Sequence, residues 1–253
     1  MKIYAQAPVR IGLFGGGTDV APYRDLYGGI CINMAINLYQ HIYIDTEVNP
    51  RSVDIEIPKN GDPNFYWEFF KQFGLDQMFI KSYCDVPIQS GLGSSASAAA
   101  GLVTALSRIK GENFTKEQIA EKSWGIEVNK IGLYGGKQDQ YAAVFGGFNK
   151  FEFNRDGVKQ TPFSKELAEE MSKHILLFYT GITRDNSKIQ EGFKELNDKQ
   201  IKALGQVKSM AQLAETVILK RDWQELGKML DDAWFFKKAS NNGVSNQKID
   251  EIY

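Results

Sequence analysis

The sequence predicts a chain that mixes β-strands with α-helices, and three patterns carry that expectation. Ile80 to Val86 is a strand-like run ended by Pro87, after which a glycine-rich turn opens onto a Ser/Ala helix with Leu102, Leu106 and Ile109 at helical spacing up to Gly111. Asn37 to Asp45 alternates as a half-buried strand does. Ile201, Leu204, Val207, Ala211, Ala214 and Ile218 form the apolar stripe of a long helix, and Trp223, Leu226, Leu230 and Trp234 continue it in a second. With 253 residues the chain can hold one large domain or two modest ones, with ample core either way.

From the N-terminus, Ala7-Pro-Val-Arg10-Ile-Gly-Leu-Phe14 is a strand that leads into Gly15-Gly16-Gly17-Thr18-Asp19. An acidic Asp19 beside these glycines would repel a pyrophosphate, whereas Asp and Thr bond well to sugar hydroxyls, so the loop suits a polyol. Arg10, alone among apolar neighbours, is either a surface edge residue or an inward-facing cation. Ser94 or Ser95 is expected to cap the Ser/Ala helix. Thr115-Lys-Glu-Gln118 opens another helix with a capping box, running to about Lys130. Glu127 lies at the edge of its apolar stripe of Ile119, Ala120, Trp124 and Val128, where it reads as a solvated helix charge. Asp139 stands in a loop fenced by glycines between Gly135 and Gly147. A polar hairpin or linker from Phe151 to Thr161, a strand from His174 to Tyr179 and the turn Gly181-Ile-Thr-Arg184 precede the two long helices, with a domain boundary expected near 155 to 172.

The segment Pro87-Ile-Gln-Ser-Gly-Leu-Gly-Ser-Ser-Ala-Ser97 is the most informative feature, because free N–H groups at a helix start, backed by the helix dipole, attract an anion. Gly91 and Gly93 let the backbone come close to that charge, and phosphate is the obvious guest. A Walker loop is excluded, since no Lys follows Gly93. Gly91-x-Gly93-x-x-Ala96 does satisfy a dinucleotide fingerprint, but no second strand follows to carry its acidic partner. Close packing of a Ser/Ala helix on a sheet is the purely structural alternative.

Lys+Arg 30 against Asp+Glu 31 gives a net charge of −1, which does not suit an electrostatic nucleic-acid binder. No apolar run approaches the ~20 residues of a membrane span, and Met1-Lys-Ile-Tyr lacks a signal-peptide core, so a soluble, cytoplasmic protein is expected. Cys31 and Cys84 are too few for a zinc cluster or disulfide framework and read as buried thiols. With only His41 and His174, both read as structural, a Ser-His-Asp relay or His-rich metal site is disfavoured. Acid–base work is then expected of a carboxylate.

Taken together, Pro8-Val-Arg10 with Gly15 to Asp19, the Pro87 to Ser97 loop, Glu127 and Gln138-Asp139-Gln140 resemble the GHMP kinases, the family of galactokinase, homoserine kinase, mevalonate kinase and phosphomevalonate kinase. Glu127 and Asp139 are separated by 12 positions, the interval expected of a galactokinase-like member. The all-glycine Gly15 to Gly17, Asp85-Val-Pro87, Gly136 to Phe148 and Tyr179-Thr-Gly-Ile-Thr-Arg184 are most similar to the bacterial D-glycero-D-manno-heptose 7-phosphate kinases. The resemblance spans most of residues 3 to 190 and implies an α+β, two-lobed fold. Residues 1–160 would form a ribosomal-protein-like βα domain binding ATP and Mg²⁺, and 161–253 a ferredoxin-like C-terminal lobe, here incomplete.

The resemblance implies a role for each motif. Gly91, Leu92, Gly93, Ser94, Ser95 and Ala96 would cradle the ATP phosphates, and Ser95 with Glu127 would hold Mg²⁺. Asp139 would orient the acceptor hydroxyl and take its proton, and Arg10 would neutralise transferring phosphate. Gly16, Gly17, Thr18 and Asp19 would read sugar hydroxyls, and Arg184 would grip the substrate's own phosphate. The partners implied are a small sugar phosphate and ATP, with no nucleic acid and no membrane; a homodimer is compatible. A galactokinase-like or fucokinase-like kinase of an unphosphorylated sugar is the enzymatic alternative, and an inactive sugar-phosphate-binding regulator the non-enzymatic one. The family carries a third glycine-rich segment after its long helices, none occurs here, and the helix from Ser245 ends uncapped at Tyr253, so a truncated chain is expected.

Overall fold

The computed structural model describes residues 1–48, 55–59, 61–182, 192–241 and 243–253. Its chain divides into two compact units that interleave along the sequence: Met1–Arg10 with Ala35–Gly146, and Ile11–Met34 with Gly147–Tyr253. The mixed α+β class expected of the sequence is what the structure shows. The expected boundary at 160/161 lies within the second unit, in a strand of its hairpin.

In the first unit, the opening of β1 (Lys2–Phe14) and the later half of β2 (Gly29–Asp45) accompany β3 (Ile55–Glu56) and β4 (Phe79–Cys84). β2 runs antiparallel to β4, with Gln40 opposite Cys84 and Asp45 opposite Phe79, while β3 lies parallel to β4. The inward residues Ile42, Ile44 and Ile80 meet Phe69 and Phe70 of α2 (Pro63–Gln72), Leu102 and Leu106 of α3 (Ser94–Lys110) and Ile126 of α4 (Lys116–Asn129) in one apolar cluster. Burying each such side chain contributes roughly 1.5–3 kcal/mol. Helix α3 packs closely because its buried face is small: a Cβ on Gly101 would stand 3.0 Å from Ile42 Cγ1. Ala100 meets Ala7 of β1 and Ala143 of α5 (Gln138–Phe145), so three small residues bring strand and both helices together. The capping box between Thr115 and Gln118 forms as the sequence predicts.

In the second unit, which holds the short α1 (Tyr23–Tyr27), the first half of β2 pairs antiparallel with β5 (Phe148–Phe153), Gly29 opposite Phe153 and Met34 opposite Phe148. The polar stretch expected as a hairpin or linker is a hairpin, β5 with β6 (Val158–Pro162). Phe14, Ile30, Ile32 and Phe148 form a core with Leu167 and Met171 of α6 (Lys165–Ser172), Ala211, Ala214 and Ile218 of α7 (Asp198–Lys220), and Leu226 and Met229 of α8 (Trp223–Ser240). A short α9 (Gln247–Ile252) follows, capped by Asn246.

The strand expected from His174 to Tyr179 does not form. Leu176 and Phe178 are 82% and 75% exposed there, and the segment pairs with no strand among the described residues; apolar alternation alone cannot make a strand without a neighbour to complete its hydrogen bonds. His174 stacks on Trp223, and His41 stacks on Tyr83 and bonds to Asp85 and Tyr4, so both have structural partners. Cys31 is buried and Cys84 half-buried, both as free thiols.

Candidate active site

The phosphate-loop candidate follows β4 and curls into α3. Gln89, Gly91 and Gly93 take left-handed backbones with φ of 63°, 83° and 78°, a bend glycine makes without Cβ strain. Gly93 is the N-cap residue of α3, and no side chain caps the helix. The cap expected from Ser94 or Ser95 is absent because Ser94 is already helical and Ser95 Oγ is turned to Glu127 Oε1, to which it donates at 2.5 Å. The first-turn amides of Ser94, Ser95 and Ala96 thus form the positive end of a 17-residue helix with no side-chain oxygen over them. Ser97 fixes that end, donating to the carbonyls of Pro8 at 2.8 Å and Gly93 at 3.1 Å.

Arg10 resolves as the inward-facing cation. Its backbone N–H donates to the Leu92 carbonyl at 3.0 Å and its Nη1 to the Gly91 carbonyl at 2.8 Å, so β1 holds the loop at two successive residues. Its Nε and Nη2 both donate to Asp139 Oδ1, at 2.9 and 2.6 Å. Asp139 is not in a loop, as its glycine fence suggested, but in the first turn of α5, where a carboxylate is favoured by the helix dipole. A Cβ on Gly93 would lie 3.5 Å from both Asp139 Oδ2 and Arg10 Cζ, ordinary contacts, so what glycine supplies at 93 is the left-handed backbone of φ 78°.

Glu127 departs most from its solvated reading: it is 4% exposed. Ser95 Oγ donates to Oε1, and Gln140 Nε2 donates to Oε2 at 2.7 Å. Burial pushes its pKa up to about 7; the bonds from Ser95 and Gln140 oppose that rise and the nearby Asp139 charge adds to it. Among the described residues no cationic side chain pairs with it. The sequence motif contained Gln140 but gave it no role; its Oε1 is buried without a hydrogen-bond partner. Its place next to Asp139 in the Gln138-Asp139-Gln140 motif was the available signal. Helix α5 is anchored at its start by Lys137, which bonds both Glu121 oxygens at 2.8 and 2.7 Å and lies 4.5 Å over the Trp124 ring. Tyr141 adds a bond to Glu121 Oε1 at 2.7 Å.

Arg10, Gly91 to Ala96, Glu127 and Asp139 therefore come together within the first unit. Gly16 to Asp19 belong to the second unit, and Arg184 lies outside the described residues. Thr18 is bonded within its own loop and to the neighbouring strand. It is fully buried, donates to the carbonyls of Gly15 at 2.7 Å and Ile30 at 3.1 Å, and accepts from Ile30 N–H at 3.0 Å, which occupies its hydroxyl with the protein. Asp19 is 1% exposed and its Oδ1 accepts from Gly17 N–H at 3.1 Å. No helix among the described residues is long and apolar enough to cross a membrane.

The chain is similar to several known proteins. A family model described as GHMP kinases N terminal domain matches residues 64–147. A D-glycero-alpha-D-manno-heptose 7-phosphate kinase of Campylobacter jejuni is 31% identical over 276 residues, covering 99% of this chain and 81% of its own length. An L-fucokinase/L-fucose-1-P guanylyltransferase of Bacteroides fragilis is 25% identical over 99% of this chain, which spans 32% of that larger protein. The crystal structure of a D-glycero-D-manno-heptose 1-phosphate kinase from Bacteroides thetaiotaomicron superposes with a TM-score of 0.75 at 29% identity, covering 94% of this chain and 79% of that one.

Proposed function

The chain belongs to the GHMP kinase family, and we propose that it transfers the γ-phosphoryl group of ATP, with Mg²⁺, to the anomeric hydroxyl of a heptose phosphate, D-glycero-D-manno-heptose 7-phosphate. That it is a kinase follows from the family. The phosphoryl-transfer reading is supported above all by one observation, a buried carboxylate, Glu127, that meets the Ser95 hydroxyl at the mouth of an uncapped helix beside an Arg10–Asp139 pair, and the choice of a heptose phosphate by likeness to two heptose phosphate kinases. The two heptose kinases to which the chain is similar differ in the position of the phosphate, and both are heptose phosphate kinases. We assign residues 1–160 as the ATP-binding domain and 161–253 as the C-terminal domain of the family.

The donor chemistry suits Mg²⁺. The ion takes few protein oxygens and completes its shell with water and phosphate, and here Ser95 offers a neutral oxygen and Glu127 an anionic one. When bound, it would supply charge neutralisation for the phosphates. The rest of the work is positioning and charge. The amides of Ser94 to Ala96, with Gly91 to Gly93 leading into them, receive the phosphates at the positive helix end. Arg10 balances negative charge on the group in flight and holds Asp139 by Oδ1 alone. Asp139 Oδ2 carries no hydrogen bond among the described residues, so it is the oxygen that accepts the proton of the sugar hydroxyl. A carboxylate is a weak base, which makes this transfer late, once the oxygen has begun to bond to phosphorus. Gly16, Gly17 and Asp19 read the sugar, Thr18 holds their loop in shape, and Arg184 is the proposed grip on the substrate phosphate.

The test is a panel of heptose 7-phosphate, free heptose, L-fucose and galactose with ATP and Mg²⁺, the product identified by ³¹P NMR. Heptose 7-phosphate should exceed free heptose by about one to two orders of magnitude in kcat/KM, the return expected from a charge-assisted phosphate grip. Asp139→Asn should lower turnover at least ~10²-fold while ATP still binds. A free hexose used as well as the heptose phosphate would replace the proposal with the fucokinase-like or galactokinase-like reading.

A further inference from the structure

The second glycine loop is held from outside as well as from within. On the inside, Thr18 N–H and Oγ1 both donate to the Gly15 carbonyl, and Gly17 N–H donates to Asp19 Oδ1. On the outside, Lys237 of α8 reaches back across 221 positions of sequence to donate from Nζ to the Gly16 carbonyl. The Gly16 carbonyl and the Gly17 N–H are the two ends of one peptide unit. Lys237 therefore holds the oxygen end of the same rigid plane whose N–H end holds Asp19.

The surroundings fit this contact. The ammonium lies 5.5 Å from the centre of the Phe193 ring. A Cβ on Gly17 would come within 2.7 Å of Lys237 Nζ, 3.3 Å of Phe193 Cζ and 3.6 Å of Leu204 Cδ2. Gly17 has φ of 98°, a backbone that only glycine adopts freely, so the bare position both permits the turn and leaves room for the ammonium and ring. A charged donor on a carbonyl is among the stronger hydrogen bonds. Every residue named here belongs to the second unit.

We propose that Lys237 is a positioning residue for the acceptor: by fixing the peptide plane between Gly16 and Gly17 it sets the direction of Asp19 and so the fit of the loop to a sugar. This rests on the reading of Gly16 to Asp19 as acceptor-binding. Sequence inspection had no signal for it, since Lys237 sits beside Lys238 near the end of an amphipathic helix, where lysines are ordinary.

Two variants test it. Lys237→Met keeps the length of the stem and loses the charge, and should raise the acceptor KM about tenfold or more, with kcat changed less than about threefold and the ATP KM unmoved. Lys237→Arg, which can still donate to the carbonyl, should recover most of that loss. Phosphorylated and free sugars should suffer by the same factor, because the effect passes through the loop. Amide exchange across residues 14–20 should quicken in Lys237→Met and not in Lys237→Arg. A loss confined to phosphorylated acceptors would overturn positioning in favour of a direct phosphate contact. An unchanged acceptor KM, or an ATP KM that rises in step, would overturn it as well. If no sugar of the panel is phosphorylated by the parent protein, the proposed function falls while the exchange measurement still decides the fate of the Lys237 clamp, and unaltered exchange would end it.

Discussion

The two glycine-rich turns of this chain look alike in sequence and differ in where their backbone groups are bonded. Around Gly91 and Gly93 the loop carbonyls are bound by Arg10, and the amides of the following helix carry no side-chain cap. Around Gly15 to Gly17 the loop is closed on itself: Thr18 and Asp19 are buried and bond its backbone, and a Cβ on Gly15 would fall 1.7 Å from the Ile30 carbonyl oxygen. Glycine at 91 and 93 gives the left-handed bend into an uncapped helix start, and glycine at 15 gives close approach to a neighbouring strand. What separates them is where the backbone hydrogen bonds go, and composition does not report that.

The sharpest way to break this contrast is to add a methyl group to each. Gly15→Ala should cost at least about 3 kcal/mol, since the new carbon meets backbone that cannot move without shifting β2, and φ there is 84°. Gly93→Ala meets only ordinary contacts at 3.5 Å, so its cost should be the left-handed backbone alone, about 1 kcal/mol. Urea unfolding of both variants measures this, and equal costs would show the two loops to be energetically alike.

Thr18→Val sharpens the comparison at one hydroxyl. It should cost about 1–3 kcal/mol, because it leaves the buried Ile30 N–H without its acceptor and releases Gly15. The stability loss should exceed any change in ATP affinity. A variant of full stability with a raised acceptor KM would return Thr18 to the role of sugar reader.

A further effect concerns Glu127, the acid of α4 that Ser95 bonds. Glu127 has a pKa raised to about 7 in the folded chain, so the protonated form is favoured there. The stability this contributes is fully present below the ordinary carboxylate range and is lost as pH rises through 7. Without metal, the melting temperature of the parent protein relative to Glu127→Gln should fall by roughly 5–10 °C between pH 5 and pH 8. A constant difference across that range would mean that Glu127 is not buried as described.

Much of this was legible in the residues. Strand β4, the Ser/Ala helix, the Thr115 capping box and the two long helices follow from periodicity and end signals that act within a few residues. The site was legible as motifs, though not as geometry. Arg10 could not be told from a surface charge, nor Glu127 from a solvated one, because their partners are 129 and 32 positions away. Asp139 was misplaced in a loop because flanking glycines masked a helix of only eight residues. The run from His174 to Tyr179 failed for the reverse reason: its pattern was right for a strand, and a strand needs an edge to join.

The interleaving of the units bears on how such an enzyme can be recombined. The chain passes from one unit to the other within β1, between Arg10 and Ile11, and back within β2, between Met34 and Ala35. The segment bearing Gly15 to Asp19 therefore travels with the C-terminal half although it lies near the N-terminus. A chimaera that joins the front of one relative to the back of another at a single junction would part this loop from Lys237, Phe193 and Leu204. Keeping this loop with its neighbours calls for a two-piece exchange, residues 11–34 together with the C-terminal half, spliced in mid-strand where the ladder itself enforces register.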